Sequence, residues 1–315
     1  MQPRTDIYSK PLSLVGERPL IELLRQSAGS CPDVVVGIGD DCAVVRISPE
    51  AAEDIVLKSD PIIMGRHFLG DAPPELVGRK AVGRALSDIA SMGAKPRWIL
   101  VDLVAPGDTQ LEYITAVFKG MNSVAAEFGC AIVGGDTCRS GELHLHVFCC
   151  GTLPRGSARL RSGAREGDVI RVTGELGGSL ASGKHLSFSP RMAEGQWLRD
   201  RVNSMIDISD GLSSELWHIA RESKASLVLS ADAVPLSATA ATDESPLDRA
   251  LYDGEDFELL FTLPAEKDSE FETEWRRRFP DLKCTRIGEV VSNGIAGVVF
   301  TNGERVPERG YDHFD

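Results

Sequence analysis

Short runs rich in Val, Ile and Leu recur along the chain, separated by segments of helical spacing. This alternation limits the fold more than any other feature of the sequence. Strand-like runs are Val34–Ile38, Cys42–Ile47, Asp54–Lys58, Trp98–Val104, Ala131–Val133, Leu143–Cys150 and Val169–Val172. Leu227–Ser230, Phe257–Thr262, Arg286–Val291 and Gly297–Thr301 follow. Glu75–Met92 places Leu76, Val82, Leu86 and Ile89 near one helical face. Leu111–Phe128 and Leu212–Glu222 read similarly, and Glu266–Phe279 reads as a charged surface helix. Mixed elements of this kind predict an α/β protein of the α+β type. The 315 residues are enough for two domains. The Gly, Ser and Arg-rich stretch Thr152–Gly167 marks the expected boundary, giving domains 1–152 and 153–315. Alanine-rich Ser237–Ser245 reads as a surface loop.

Charge narrows the function. With 34 Lys and Arg against 47 Asp and Glu, the formal net charge is −13. That argues against nucleic acid and against anionic lipid as partners. A small anionic ligand stays possible, because bound cations invert a local field. The seven cysteines form no C-x-x-C pair, so neither a disulfide framework nor a zinc ribbon is indicated. Neither a signal peptide nor a membrane span is read in the sequence, and the expected compartment is the cytoplasm.

Acidic residues stand at the ends of apolar runs, often beside glycine. They are Asp40 and Asp41 in VVVGIGDDCAVV, Asp60 ending IVLKSD, Asp88 in RALSDIASMGA and Asp136 ending AIVGGD. Asp207 and Asp210 in MIDISDGL, and Glu255 and Asp256 in YDGEDFELL, complete the pattern. Carboxylates at strand ends tend to meet at one sheet edge, and hard oxygen donors suit Mg²⁺ or Mn²⁺. Each residue also has an ordinary reading. Asp40-Asp41 fits a turn, Asp88 fits an i,i+4 pair with Arg84, and Asp136 and Asp210 fit helix or segment caps. His67 fits a lone structural histidine, and His144 and His146 receive no role. Lys184, Arg139 and Arg161 are candidates to meet phosphate, with solvated surface charge as the default. Gly178–Lys184, GSLASGK, has P-loop spacing, but His185 stands where the Mg²⁺-binding Ser or Thr belongs. Its glycines fit either a helix start facing phosphate or close packing of helix on sheet.

Taken in order, GIGDDCAVV, KSD…GRHF, ALSDIASMGAKP, VGGDTCR, RSGAREGD, VTGELGGSLASG, IDISDGL, GEDFELLFT and GYDHF resemble the thiamine-monophosphate kinase family. That family sits in the ATP-binding superfamily that includes aminoimidazole ribonucleotide synthetase. The resemblance implies a two-domain fold of that kind, with an N-terminal sheet pairing across a homodimer and a C-terminal α/β domain. It implies transfer from ATP to thiamine monophosphate, with several Mg²⁺ ions. By motif position, Asp41, Ser59, Asp60, Asp88, Asp136, Asp207 and Asp210 would hold metal. Gly135, Asp136, Arg161 and Ser209 would contact ATP, and His67 and Glu255 the thiamine phosphate. No residue is implied as a general base.

Two departures stand out. Members often read Ser/Thr-Thr-Asp where this chain has Lys58-Ser59-Asp60, and a protonated lysine cannot ligate a metal. An aromatic residue that stacks on substrate often precedes the terminal motif, where this chain has Pro307-Glu308-Arg309-Gly310. Competing readings are another enzyme of the superfamily and a non-catalytic nucleotide sensor or scaffold. Cys31 lacks the glycine-rich context of a selenophosphate synthetase, and the chain ends in His-Phe-Asp where the hydrogenase-maturation relative ends in a reactive Cys.

Overall fold

The computed structural model describes residues 10–293 and 295–314. Two mixed sheets carry the fold, each covered by helices, as the alternating pattern predicts. The first sheet contains β1 (Val34–Val36), β2 (Ala43–Val45), β3 (Glu53–Ile63), β4 (Lys95–Ala105), β5 (Ala131–Gly134), β6 (Thr137–Arg139) and β7 (His144–Pro154). Its order is β1-β2-β3-β7-β4-β5, with β6 also pairing β4. The second contains β8 (Asp168–Thr173), β9 (Ser204–Asp207), β10 (Ala225–Leu229), β11 (Leu259–Pro264), β12 (Cys284–Asn293) and β13 (Gly297–Phe300), ordered β13-β10-β12-β8-β11-β9. β7 runs through Pro154, so the first sheet ends inside the expected linker.

The helices are α1 (Leu12–Val15), α2 (Glu17–Ser27), α3 (Pro74–Ser91), α4 (Leu111–Glu127), α5 (Ser179–Ser182), α6 (Lys184–Ser187), α7 (Met192–Leu198), α8 (Leu212–Ser223), α9 (Pro246–Tyr252) and α10 (Asp268–Arg278). α3 organises the molecule. It packs on β3 and β7, and it also touches α4, α6, α7 and β9. Glycine permits its close crossing with α4: a Cβ on Gly78 would lie 1.9 Å from the Val117 carbonyl oxygen, and one on Gly120 equally near that of Glu75. Buried on nearly every side, α3 carries Lys80, Arg84 and Asp88 at four-residue spacing, one row of one helix, while Glu75 and Arg79 lie off that row.

β3 supplies the opposing wall. Its side chains alternate, so Val56, Lys58 and Asp60 turn toward α3 while Leu57 and Ser59 turn away. The face turned away is apolar and open, with Leu57, Trp98, Leu100, Val133 and Phe148 all exposed. Among the described residues no helix is long and apolar enough to cross a membrane. Ser237–Ser245 is irregular apart from one turn of 3₁₀ helix, Ala240–Thr242, whose Ala240 is buried.

Candidate metal and phosphate site

Three acids from distant parts of the sequence meet between the two sheets. Asp41, Asp88 and Asp207 each bring a carboxylate oxygen within 4.8 Å of the others, and all three are buried. Asp41 follows the turn at Gly39, Asp88 lies on the last turns of α3, and Asp207 ends β9. The turn reading of Asp40-Asp41 holds for the first of the two residues. Asp40 makes the turn, accepting the N–H of Asp41 at 3.0 Å and of Arg161 at 3.2 Å. Burial, then the charge of Asp41, pushes its carboxyl up to about 7. Asp41 itself faces the cluster.

Hydroxyls and cations of the chain already hold these acids. Arg161 donates to Asp41 from Nε at 2.8 Å and Nη2 at 2.7 Å, and Ser91 donates to its second oxygen. Lys58 Nζ lies 2.6 Å from Asp88. Among the described residues, the Asp207 carboxylate accepts the Ser87 hydroxyl alone, at 2.5 Å. Burial and the neighbouring acids push Asp88 well above the usual carboxylate range, and burial with Asp41 pushes Asp207 up to about 7. Two buried carboxylates raised together mark a deficit of positive charge. Closely set hard oxygens with that deficit fit Mg²⁺ or Mn²⁺.

The i,i+4 reading of Arg84 with Asp88 is corrected. Asp88 is paired with Lys58, and Arg84 binds Asp60 through Nε and Nη2, both at 3.2 Å. Burial alone would raise Asp60, but Arg84 and Lys58 hold it below its ordinary value. Arg84 Nη1 also reaches Glu255 at 3.2 Å. The fully buried Lys80 lies 2.6 Å from Glu255 and donates to the His67 carbonyl. Lys80 was not singled out in the sequence, although its four-residue spacing with Arg84 and Asp88 is visible there.

Glu255 and Phe257 take φ of +66° and +51°, a left-handed conformation costly for such side chains. Main-chain bonds fix it: Glu255 N–H to the Ser209 carbonyl at 2.7 Å, and Phe257 N–H to that of Ile208 at 2.8 Å. Ser209 and Asp210 are thereby locked against Glu255. The N-cap reading of Asp210 is also corrected. Gly211 occupies the cap of α8 with no side-chain capping bond, and Asp210 N–H is held by buried Glu215 at 3.1 Å.

His67 is buried and neutral, pushed down to about 3 by burial and then Arg84. Its Nδ1 accepts the Ile63 N–H at 3.0 Å, so Nε2 carries the proton, and Nε2 is buried without a partner. That is an orphaned donor facing the ring of His313, 5.5 Å away in the terminal motif.

Other expected residues stand apart. Ser59 lies on the opposite face of β3 from Asp60, so its hydroxyl does not join the carboxylates. Asp136 is exposed and is not in the three-acid group. Its N–H is held by Asp102 at 2.9 Å, and its own carboxylate caps the N–H of Thr137 at 2.8 Å. Gly135 sits at φ +146°, where a Cβ would meet the Val101 carbonyl oxygen at 1.9 Å. No P-loop forms at GSLASGK. Gly177 N–H donates to Asp256 at 2.8 Å and Gly178 N–H to Asp253 at 3.0 Å, so the chain's own carboxylates take these donors. Lys184 pairs with Glu258 at 3.1 Å, and Arg139 is exposed. In place of an aromatic before the terminal motif, Arg309 lays its guanidinium 4.7 Å over the Tyr252 ring.

Residues 39–153 match the family described as AIR synthase related protein, N-terminal domain. Thiamine-monophosphate kinase of Escherichia coli K12 is 35% identical over 308 residues, 90% of this chain and 93% of the relative. The chain belongs to the thiamine-monophosphate kinase family. The same family's protein from Rhodopirellula baltica is also 35% identical, over 94% of this chain and 97% of its own length. A solved structure of AaThiL complexed with AMPPCP and TMP superposes with a TM-score of 0.84 at 30% identity, covering 97% of this chain and 99% of that one.

Proposed function

We propose that this protein transfers the γ-phosphoryl group of ATP to thiamine monophosphate, giving thiamine diphosphate. The meeting of Asp41, Asp88 and Asp207 in one buried, cation-deficient cluster carries this reading. The acceptor is a phosphate monoester, whose second pKa near ~6 leaves it mostly dianionic at pH 7. It needs no general base, and neutral His67 does not act as one. The obstacle is the approach of two anions, so catalysis is positioning plus neutralisation.

Asp41, Asp60, Asp88, Asp207 and Asp210 would hold Mg²⁺, with Asp136 and the main chain at Ser59 completing the set from the rim. The metal supplies charge neutralisation and a template for in-line transfer. Arg161, Gly135, Asp136 and Ser209 contact ATP. The free Nε2–H of His67 donates to the thiamine phosphate, while Lys80 and Arg84 fix Glu255 beside it. Transfer is direct, without a phosphoenzyme.

We assign residues 1–152 to metal and ATP binding and to dimerisation, and 153–315 to the domain that completes the site. The exposed apolar face bearing Leu57, Trp98, Leu100, Val133 and Phe148 pairs with a second copy in a homodimer. Seven unpaired cysteines agree with a cytoplasmic protein.

Incubation with ATP, Mg²⁺ and thiamine monophosphate is expected to yield thiamine diphosphate and ADP. Tight ATP binding with no turnover would instead identify a sensor or scaffold. Rapid-quench labelling with γ-labelled ATP is expected to show no phosphoprotein; a kinetically competent one would overturn direct transfer.

A further inference from the structure

Among the described residues, the one lysine ammonium paired with the three-acid group comes from the wall of the sheet. Lys58 is on β3, on the same face as Val56 and Asp60, and its side chain is 23% exposed. Its Nζ lies 2.6 Å from Asp88, whose other neighbours in the cluster are Asp41 and Asp207. Arg161 holds Asp41, Arg84 holds Asp60, and among the described residues the Asp207 carboxylate is held by the Ser87 hydroxyl alone. Among the described residues, Asp41, Asp60 and Asp88 each have a cationic partner and Asp207 has none. An ammonium is a compact point charge with three donors and no lone pair. It occupies carboxylate oxygen and contributes positive charge, as a metal does, but it can neither leave nor ligate.

We propose that Lys58 is a resident cation that takes the place of one divalent ion in this cluster. The inference rests on the metal reading of the cluster given above. It has two consequences. The metal-free protein holds Asp88 in position with a cation of its own, so the cluster is preorganised before any metal arrives. The loaded protein binds one divalent ion fewer than it would with a neutral residue at 58, because the ammonium excludes a dication from the oxygens it covers and repels one placed nearby.

The test counts metal on the full chain. Mn²⁺ is titrated in the presence of AMPPCP into the wild-type protein and into Lys58→Thr, Lys58→Met and Lys58→Arg. The free Mn²⁺ signal is read by electron paramagnetic resonance, against AMPPCP alone. Both neutral variants are expected to bind one additional Mn²⁺ per chain, and Lys58→Arg to match the wild type. Thermal unfolding without nucleotide gives a second readout: Mn²⁺ is expected to raise the midpoint of the neutral variants more than that of the wild type. Neutral variants that fold only with Mn²⁺ present support the same conclusion.

Equal Mn²⁺ counts in all four proteins would overturn the role of Lys58 and leave the metal site standing. Neutral variants that stay unfolded with and without Mn²⁺ would also overturn it, since no metal then replaces the ammonium. Absence of Mn²⁺ beyond that held by AMPPCP, in every protein, would instead remove the metal reading itself, and the inference with it.

Discussion

Two buried acidic clusters lie in this molecule, and they are built in opposite ways. Under the glycine loop after β8, Glu258 receives Arg191 through Nε at 2.7 Å and Nη2 at 2.6 Å, together with Thr173 at 2.8 Å and Lys184 at 3.1 Å. Burial would raise Glu258, but these partners hold it below its ordinary value. Between α3 and β9, Asp88 and Asp207 are pushed up because their partners do not suffice. A carboxylate with every oxygen matched by the chain is a structural tie. On the proposed reading, a group of such acids left short of charge takes a cation from solution. Burial of acid alone separates nothing; the balance of partners does.

Substitutions give the sharpest contrast. Asp207→Asn or Asp88→Asn is expected to lower kcat by at least about 100-fold, on the scale of a lost oxyanion donor. The Asp207→Asn protein should keep or raise its metal-free unfolding midpoint, since a buried acid without a cation partner is removed. Glu258→Gln should do the reverse. It leaves Arg191 facing a neutral amide, at about 3–5 kcal/mol of stability, readable by urea unfolding. Normal activity in both folded aspartate variants would erase the distinction.

Metal addition should separate the clusters next. Mg²⁺ with an ATP analogue is expected to stabilise the wild type by up to about 2.7 kcal/mol at a hundredfold excess over Kd, read as a higher unfolding midpoint. Asp88→Asn should lose most of that rise, while Glu258→Gln should keep it from a lower baseline.

A smaller effect lies in pH. Asp256, beside Glu258, is pushed up to about 6, chiefly by burial. Its folded value is above the unfolded one, so its contribution is complete below about pH 4 and is lost as pH rises through 6. Wild type should therefore lose stability relative to Asp256→Asn between pH 4 and 6, checked by thermal unfolding across that range. Lys184→Met should be the mildest change, at about 1 kcal/mol or less, because its ammonium is partly solvated.

Much of this was legible in the sequence. The strand around Val169 has the apolar run that burial on both faces demands, and those around Leu227 and Gly297 are apolar runs whose alternate residues are only half-buried. Asp41, Asp88 and Asp207 stood out as acids beside apolar runs. Apart from the four-residue spacing of Lys80 with Arg84 and Asp88, the rest has no local signal. The sequence pattern ends β3 at Lys58, because Ser59-Asp60-Pro61 interrupts its apolar run, yet pairing with β7 carries it to Ile63. β6 is three exposed residues, and β9 is four buried ones with a serine and an aspartate at its ends. Glu215, Glu258 and Arg191 look like surface charge until tertiary packing buries or pairs them. The pairing of Lys58 with Asp88 joins positions thirty residues apart, and only the packing of α3 on β3 brings them together.

Anomalous diffraction tests the central claim most directly. Crystals grown with Mn²⁺ and AMPPCP, measured near the manganese edge, should show a peak within about 2.5 Å of carboxylate oxygens of Asp41, Asp88 or Asp207. Nucleotide bound with no manganese peak at these three acids would contradict the account.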